Sequence, residues 1–144
     1  MSELLDVLVP LERWGHYKKL KKLQGMAAES RLHNPQSGLN CCLGFAGNAI
    51  GLSDEVMARE TMPHSSKAIS SVFLERLPKL LDDICGVIVP SIVCNQLARE
   101  NDGGGMSLQG RMEIIRDLGI QAGINFIFTK GGEPIDINMY EGEE

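Results

Sequence analysis

Residues 124–140 have the sequence INFIFTKGGEPIDINMY. Apolar and polar side chains alternate in both halves of this stretch, and the turn-forming residues 130–133 separate the halves. A period of two residues is typical of β-strands with one buried face, so the stretch predicts a C-terminal β-hairpin over residues 123–140. An isolated hairpin is only marginally stable in water. We therefore expect helices, a third strand over residues 39–43 or a partner chain to cover it.

Upstream of the hairpin, residues 3–122 show helical spacing interrupted by glycine and proline. Ser53, Ser65 or Ser66, and Ser107 are the residue type that caps helix N-termini. Proline at positions 10, 78 and 90 predicts the first turn or the restart of a helix. We expect five or six short helices, over about residues 11–24, 45–50, 53–62, 65–77 with a restart to 86, 90–100 and 107–119. Residues 26–40 are predicted to form a loop.

The size and composition agree with one mainly helical α+β domain over residues 1–144. The chain has 144 residues, of which 43% are hydrophobic and 23% are charged. This composition is ordinary for a globular protein and excludes a disordered chain, a collagen and a coiled coil. Residues 141–144 are predicted to be a frayed tail.

Charge and targeting signals narrow the class of protein further. The net charge of -5 argues against a general nucleic-acid-binding coat. No uncharged segment approaches the roughly 20 apolar residues that cross a bilayer. The N-terminus carries acidic residues where a signal peptide carries basic ones. We therefore expect a cytoplasmic protein that does not enter a membrane.

The charges are unevenly distributed along the chain. Residues 11–31 contain six basic and two acidic residues, whereas residues 132–144 contain five acidic and no basic residues. One interpretation is a basic patch that binds phosphate, a nucleotide or an acidic partner. The other is a solvated helix face whose charge the acidic tail balances.

Four cysteines allow two interpretations. Cys41 and Cys42 are adjacent and cannot form an unstrained disulfide with each other. They are predicted either to pack in the core or to place one thiol in a pocket, because side chains at a strand-to-helix junction alternate in direction. A zinc site that combines cysteines, including Cys85 and Cys94, with His64 is the alternative, but it lacks the paired spacings of structural zinc sites.

Sequence motifs for catalysis are missing. The chain has no phosphate-loop, dinucleotide-binding, zinc-protease or nucleophile-elbow motif. Residues 103–105 are three glycines before a helix, but no lysine and no preceding strand accompany them, so they predict a helix connection. We predict a protein that is not an enzyme, with no catalytic residues, no metal site and no cofactor.

Two groups of residues are candidates for ligand contact. Trp14 is predicted to anchor the core, whereas Tyr17 is expected to be exposed among lysines, where an aromatic ring can stack on a base. Asn101 and Asp102 either stabilise a turn through backbone hydrogen bonds or contact a base or ribose. The candidate ligand-binding residues are Tyr17, Lys18, Lys19, Lys22, Arg31, Asn101 and Asp102.

Three pieces of sequence resemble a group of small uncharacterised proteins of bacteriophages and prophages. They are Trp14 followed by residues 17–19, the Cys-Cys-Leu-Gly box at residues 41–44, and an Asn-Asp turn at 101–102 before the last helix. The box is the most specific piece, and the resemblance covers residues 11–118. This chain differs in carrying Arg-Glu before the Asn-Asp turn and in extending into the hairpin.

The resemblance implies a phage accessory protein expressed in the cytoplasm of an infected bacterium, and it implies no known activity. Our leading hypothesis is a protein that binds and neutralises a host factor, either a nucleotide-type immune signal or a host protein. The unpaired hairpin edge predicts homo-oligomers. The rival hypotheses are a cysteine- or metal-dependent enzyme, a protein inhibitor of a host enzyme and a virion component.

Overall fold

The structure is a computed structural model that describes residues 3–58, 60–103 and 106–140. Its strands are β1 (Leu5–Pro10), β2 (Leu81–Ile84), β3 (Val87–Pro90), β4 (Ile124–Lys130) and β5 (Glu133–Pro134). Its α-helices are α1 (Tyr17–Leu20), α2 (Cys42–Ala49), α3 (Asp54–Met57), α4 (Lys67–Arg76), α5 (Ile92–Asp102) and α6 (Leu108–Gln121). The predicted α+β class is confirmed. The predicted tail 141–144 lies outside the described residues.

A three-stranded sheet with the order β1-β4-β5 forms one side of the core. β1 runs parallel to β4, with Val7 opposite Phe126 and Val9 opposite Phe128. These four side chains are buried on one face of the sheet, whereas Leu8 is 59% exposed on the other. The prediction that residues 3–122 are helical is therefore wrong for β1, where the side chains have the period of a half-buried strand.

The predicted hairpin forms, but its second strand is short. β4 and β5 are antiparallel and pair at two positions only, Thr129 with Pro134 and Lys130 with Glu133. Gly131 and Gly132 both have positive φ, as a two-residue hairpin turn requires. Beyond Pro134, the Asp136 side chain accepts a hydrogen bond from the Asn138 N–H and a 3-10 turn replaces the predicted strand.

The third strand of the sheet is β1, and the predicted strand over residues 39–43 is wrong. Residues 42–43 instead begin α2. Parallel pairing between distant segments leaves no short-range signal, whereas the small apolar residues after Cys41 suit both a strand and a buried helix.

The predicted helix over residues 11–24 forms only in part. Leu11–Arg13 is a 3-10 turn, and α1 has only four residues. Between them, the Gly15 N–H donates to the Asn40 carbonyl, and the Asn40 N–H donates to the Arg13 carbonyl. These bonds to a distant segment replace the bonds of a continuous helix.

The predicted helix restart from residue 78 to 86 is also wrong, because β2 and β3 form a second hairpin there. Its turn is made by Cys85 and Gly86, which both have positive φ. The Gly86 N–H donates to the Asp83 carboxylate at 2.9 Å, which fixes the turn.

The predicted helix N-caps agree well with the structure. Ser53, Ser66 and Ser107 are N-caps whose side chains accept the backbone N–H three residues later. Ser91 caps α5 in the same way, one residue after the predicted start. α6 continues two residues past the predicted end at Gly119.

Buried apolar side chains from β1, β2, β4 and helices α2–α6 form one cluster. Within it, α6 packs against α5 and β4, and α2 packs against β1 and α5. The single domain over residues 1–144 stays a prediction. Of the helices in the described ranges, none has both the length and the apolar character to cross a bilayer.

Candidate functional site

The amide of Asn101 joins three separate segments of the chain, at Trp14, at Cys42 and at the end of α5. Its Oδ1 accepts the Trp14 Nε1–H at 2.6 Å and the Cys42 N–H at 3.0 Å. Its Nδ2 donates to the Gly15 carbonyl at 2.8 Å and to the Asp102 carboxylate at 3.0 Å. An amide side chain has two acceptor and two donor positions, so all four are filled within the chain. Asn101 therefore has no free hydrogen-bonding position with which to make the predicted contact to a ligand.

Tyr17 and Asp102, predicted separately, line one open groove of about 420 Å³. We call it the Tyr17–Asp102 groove. Its wall is made by Tyr17, Leu20, Lys21, Leu23, Ala28, Ser30 and Asp102. The structure thus brings the aromatic ring of α1, which is half-buried and not exposed as predicted, to the same groove as the carboxylate that ends α5. Lys21 is on the wall, with its Nζ 5.8 Å from the centre of the Tyr17 ring.

The other predicted basic residues lie around this groove without lining it. Lys18 and Lys19 are in α1, and Lys22 follows it. The Lys19 ammonium donates to the Leu11 carbonyl, and both Lys18 and Lys19 have further partners. Arg31 is one residue from the groove, but its Nη2 donates to the Glu29 carboxylate at 2.6 Å. Lys21, which was not among the predicted residues, lines the groove and lies near the Tyr17 ring.

A smaller cavity of about 190 Å³ adjoins the groove and shares Ser30 and Asp102 with it. Cys41 is on its wall, while Cys42 is fully buried with its Sγ 3.8 Å from the Leu97 carbonyl. Burial raises the pKa of the Cys41 thiol to about 12 and the pKa of the Cys42 thiol well above its ordinary value. Both thiols are therefore protonated at neutral pH and are poor nucleophiles.

The remaining cysteines do not combine into a metal site. Burial raises the pKa of Cys94 to about 12, and Cys85 is exposed in the β2–β3 turn. In residues 3–58, 60–103 and 106–140, no group of three or more His, Cys, Asp and Glu side chains could hold a metal ion.

Two buried basic residues near the groove were missed by the sequence analysis. Arg111 is 1% exposed and His16 is completely buried. In the described part of the chain, the Arg111 side chain makes one hydrogen bond, from Nη1 to the Glu100 carbonyl, while its Nε and Nη2 have no partner. Neither ring nitrogen of His16 has a partner there. One signal could have identified Arg111, since it lies three residues after Leu108 and one before Met112, on the apolar face of α6.

Residues that line the groove contribute to the pKa of Arg111, and the basic α1 segment contributes to the pKa of His16. Burial lowers the pKa of Arg111, and the opposing charges of Glu100, Asp102 and Tyr17 raise it. Burial also lowers the pKa of His16 to about 3, and the charges of Lys19, Arg111, Lys18 and Lys22 lower it further. His16 is therefore neutral at pH 7 and lies in a region of positive potential.

A separate polar cluster surrounds Asp54 at the start of α3. Its carboxylate accepts hydrogen bonds from Arg13 at 2.9 Å and from Asn40 and Asn48 at 3.1 Å each. Burial raises the pKa of Asp54, but the two amides, His33 and Arg13 together lower it below its ordinary value. The cluster connects the loop before α2 to α3. Each carboxylate oxygen of Asp54 has a hydrogen-bond partner.

Comparison with protein-family models, with curated proteins and with solved structures found no match.

Proposed function

We propose that this protein binds an anionic small molecule of the nucleotide class in the Tyr17–Asp102 groove and sequesters it. The setting we propose is that of a phage accessory protein which neutralises an immune signal of its bacterial host, as the resemblance to phage proteins implies. In this proposal the protein binds its ligand and does not change it chemically.

The observation that carries the proposal is the meeting of Tyr17 and Asp102 in one groove beside the basic α1 segment. The volume of about 420 Å³ lies within the range of small-molecule sites. Such sites combine an apolar wall with a few polar groups, and here Leu20, Leu23 and Ala28 form the apolar part.

Each polar group has a role in this proposal. The Tyr17 ring stacks on a base, and Lys21 with Lys18, Lys19 and Lys22 attracts the phosphates. The Asp102 carboxylate accepts hydrogen bonds from ribose hydroxyls or from a base amine. Asn101 positions Asp102 through the 3.0 Å hydrogen bond and does not itself touch the ligand.

Sequestration works best in an assembly with several sites, and the predicted homo-oligomer remains part of the proposal. The C-terminal hairpin is a weak edge for pairing, because β5 has only two residues and Pro134 has no N–H to donate. The outer edge of β1 is longer and runs beside a groove that Leu8 and Phe45 help to line.

The cysteine-enzyme alternative has less support. A catalytic thiol needs a lowered pKa and an adjacent base. Burial raises the pKa of Cys41, Cys42 and Cys94 instead.

Native mass spectrometry of the chain purified from bacteria, with a denatured control, tests the proposal. We expect a bound mass in the nucleotide range that is released on denaturation. Added nucleotides should then bind in calorimetry, with affinity that falls as salt rises. Lys21→Glu with Lys22→Glu should abolish this binding, whereas the exposed Lys79→Glu should leave it unchanged. A bare protein that binds no member of a panel of mono-, di- and cyclic nucleotides would contradict the proposal.

A host protein as ligand is the second candidate, and the tip of the β2–β3 hairpin favours it. Ile84 and Val87 are 59% and 61% exposed and lie opposite each other in the register. Exposed apolar groups in contact with one another are typical of interaction surfaces. Ile84→Ser with Val87→Ser should release a stoichiometric bound host protein while leaving nucleotide binding intact. If the variant retains that protein, the hairpin is not the contact.

A further inference from the structure

The outer edge of β1 is an unpaired strand edge. In the sheet order β1-β4-β5, no strand of the described residues lies on the outer side of β1. The Leu5 N–H donates to the Gly123 carbonyl on the β4 side. Because successive residues of a strand direct their backbone groups to opposite sides, the N–H and C=O groups of Asp6 and Leu8 point outward. Such an edge is a template for another strand unless a bulge or a cover blocks it.

Nothing in the described part of the chain blocks this edge. The pairing of β1 with β4 is continuous from Leu5 to Pro10, so β1 has no bulge. An open groove of about 420 Å³ runs beside the strand, and we call it the β1 groove. It is lined by Asp6, Leu8 and Pro10 from β1, by Phe45, Asn48 and Ala49 from α2, and by Arg13. The residues of β1 that line the groove are those whose backbone groups point outward, and Leu8 is 59% exposed.

The edge matches a second copy of itself in the antiparallel direction. When Leu8 lies opposite the partner's Leu8, each Leu8 N–H donates to the other Leu8 carbonyl. In the same register, each Asp6 N–H donates to the partner's Pro10 carbonyl. Pro10 has no N–H to donate, so the ladder ends there. The two exposed leucine side chains then lie side by side on one face, which removes apolar surface from water.

The charges at the two ends of the edge are complementary in this arrangement. Asp6 is near the start of β1, whereas Arg13 follows its end and lines the same groove. Antiparallel pairing places Asp6 opposite the partner's Pro10, at the end of the strand where the partner's Arg13 lies. The Arg13 side chain is 46% exposed, and its hydrogen bonds to Asn40 and Asp54 both use Nη2. The remaining guanidinium N–H groups can therefore donate to the partner. This match favours a second copy over an unrelated strand.

We propose that two copies of the chain pair antiparallel through the outer edges of β1, about a two-fold axis at Leu8, and form one continuous sheet across the dimer. A two-fold axis makes the contact reciprocal and closes the assembly. This inference assigns an interface to the oligomer of the proposed function, and it uses a different edge from the predicted C-terminal hairpin. The β1 groove and the Tyr17–Asp102 groove share no lining residue, so dimerisation leaves the proposed ligand site open.

Sedimentation equilibrium of the full chain over a range of concentrations tests the dimer, and a pair of charge variants tests its register. We expect Leu8→Lys alone and Leu8→Glu alone each to weaken the dimer by about tenfold or more, because like charges then face each other across the axis. An equal mixture of the two variants should recover the dimer, because opposite charges then meet. The matched control is Ile120→Lys, an exposed apolar position on α6, which should change the dissociation constant by less than about twofold.

Amide hydrogen exchange of the wild type tests the same contact without any variant. The Asp6 and Leu8 N–H groups point outward, so we expect their exchange to slow as the protein concentration rises. Exchange at these two groups that does not depend on concentration would overturn the proposal. Protection that appears only when a foreign protein is added would assign the edge to another partner and would overturn the dimer as well.

The remaining outcomes separate this interface from other contacts and from the ligand site. A wild type that stays monomeric at about 1 mM would overturn the dimer. A dimer that Leu8→Lys does not weaken forms through another surface, and a mixture that does not recover means that Leu8 does not face its own copy. A monomer that binds nucleotides would leave the proposed ligand standing and reject the interface. A dimer that behaves as expected but binds no nucleotide would do the reverse.

Discussion

At the scale of single residues, the amide of Asn101 holds Trp14, Gly15 and Cys42 in place. Asn101→Ala leaves the Trp14 Nε1–H, the Cys42 N–H and the Gly15 carbonyl without their buried partner. Each buried polar group left unpaired costs about 1–3 kcal/mol, so we expect a loss of roughly 3 kcal/mol or more in the free energy of unfolding. Urea denaturation followed by circular dichroism measures it.

The control for this experiment is Asn95→Ala, an exposed position on the same helix. It should change stability by less than about 0.5 kcal/mol. If both variants lose the same free energy, the loss comes from the helix and the Asn101 bonds contribute nothing.

Gly44 is a second residue whose identity the packing requires. A Cβ at this position would lie 1.8 Å from the carbonyl oxygen of Leu32, a backbone atom that cannot move aside alone. Gly44→Ala should therefore destabilise the protein by roughly 3 kcal/mol, although alanine favours a helix. Ala49→Gly at the exposed end of the same helix should cost only about 1 kcal/mol. A stabilised Gly44→Ala variant in thermal unfolding would mean that α2 lies farther from Leu32.

The candidate site was predictable from sequence only in part. Tyr17 and Asp102 were found because an aromatic residue among lysines and an Asn-Asp pair before glycines are local patterns, although the predicted turn at Asn101 and Asp102 is in fact the end of α5. Their meeting in one groove depends on the tertiary fold, which brings α1 and the end of α5 to the same groove. Arg111 and His16 were missed because burial of a basic residue is set by the surrounding fold, and polar residues on an apolar face are ordinarily exposed at its margin.

At the scale of elements, the pairing of β1 with β4 makes a prediction about register. Val7 is buried opposite Phe126, while Leu8 is exposed opposite Ile127. Val7→Ala should therefore cost about 2 kcal/mol, and Leu8→Ala should cost less than about 0.5 kcal/mol. Chemical denaturation of both variants checks this. Because a slip of one residue would exchange the two faces, a larger loss for Leu8→Ala would contradict the register.

The elements differ in how strongly the local sequence determines them. Ser53, Ser66 and Ser107 cap helices through bonds that reach only three residues ahead, so the sequence indicates them directly. β1 depends on a partner strand near the other end of the chain, where Asn125 also donates to Asp6. The segment after Trp14 departs from a helix because Asn40 pairs with it. Tertiary bonds of this kind override local helix propensity.

At the scale of the whole molecule, the central strand β4 joins the two ends of the sequence. β1 covers one of its edges and the short β5 part of the other, while α6 packs on its buried face. Asn101, near the end of α5, joins the segments at Trp14 and Cys42 through its side-chain hydrogen bonds. The groove is thus formed by short segments that a single helix, α5, orients with respect to the core.

The neutral, buried His16 makes the stability of the whole molecule depend on pH. Burial lowers its pKa from 6.5 to about 3, so between these values the unfolded chain binds a proton that the folded chain does not. Stability is therefore full above pH 6.5 and decreases as the pH falls toward 3. We expect a loss of roughly 2 kcal/mol between pH 7 and pH 5, measured by urea denaturation at each pH. His16→Phe, which keeps a ring against Trp14, should flatten this dependence, and His64→Gln should retain it. A wild-type stability that is constant over this range would show that the buried imidazole is protonated in the folded state.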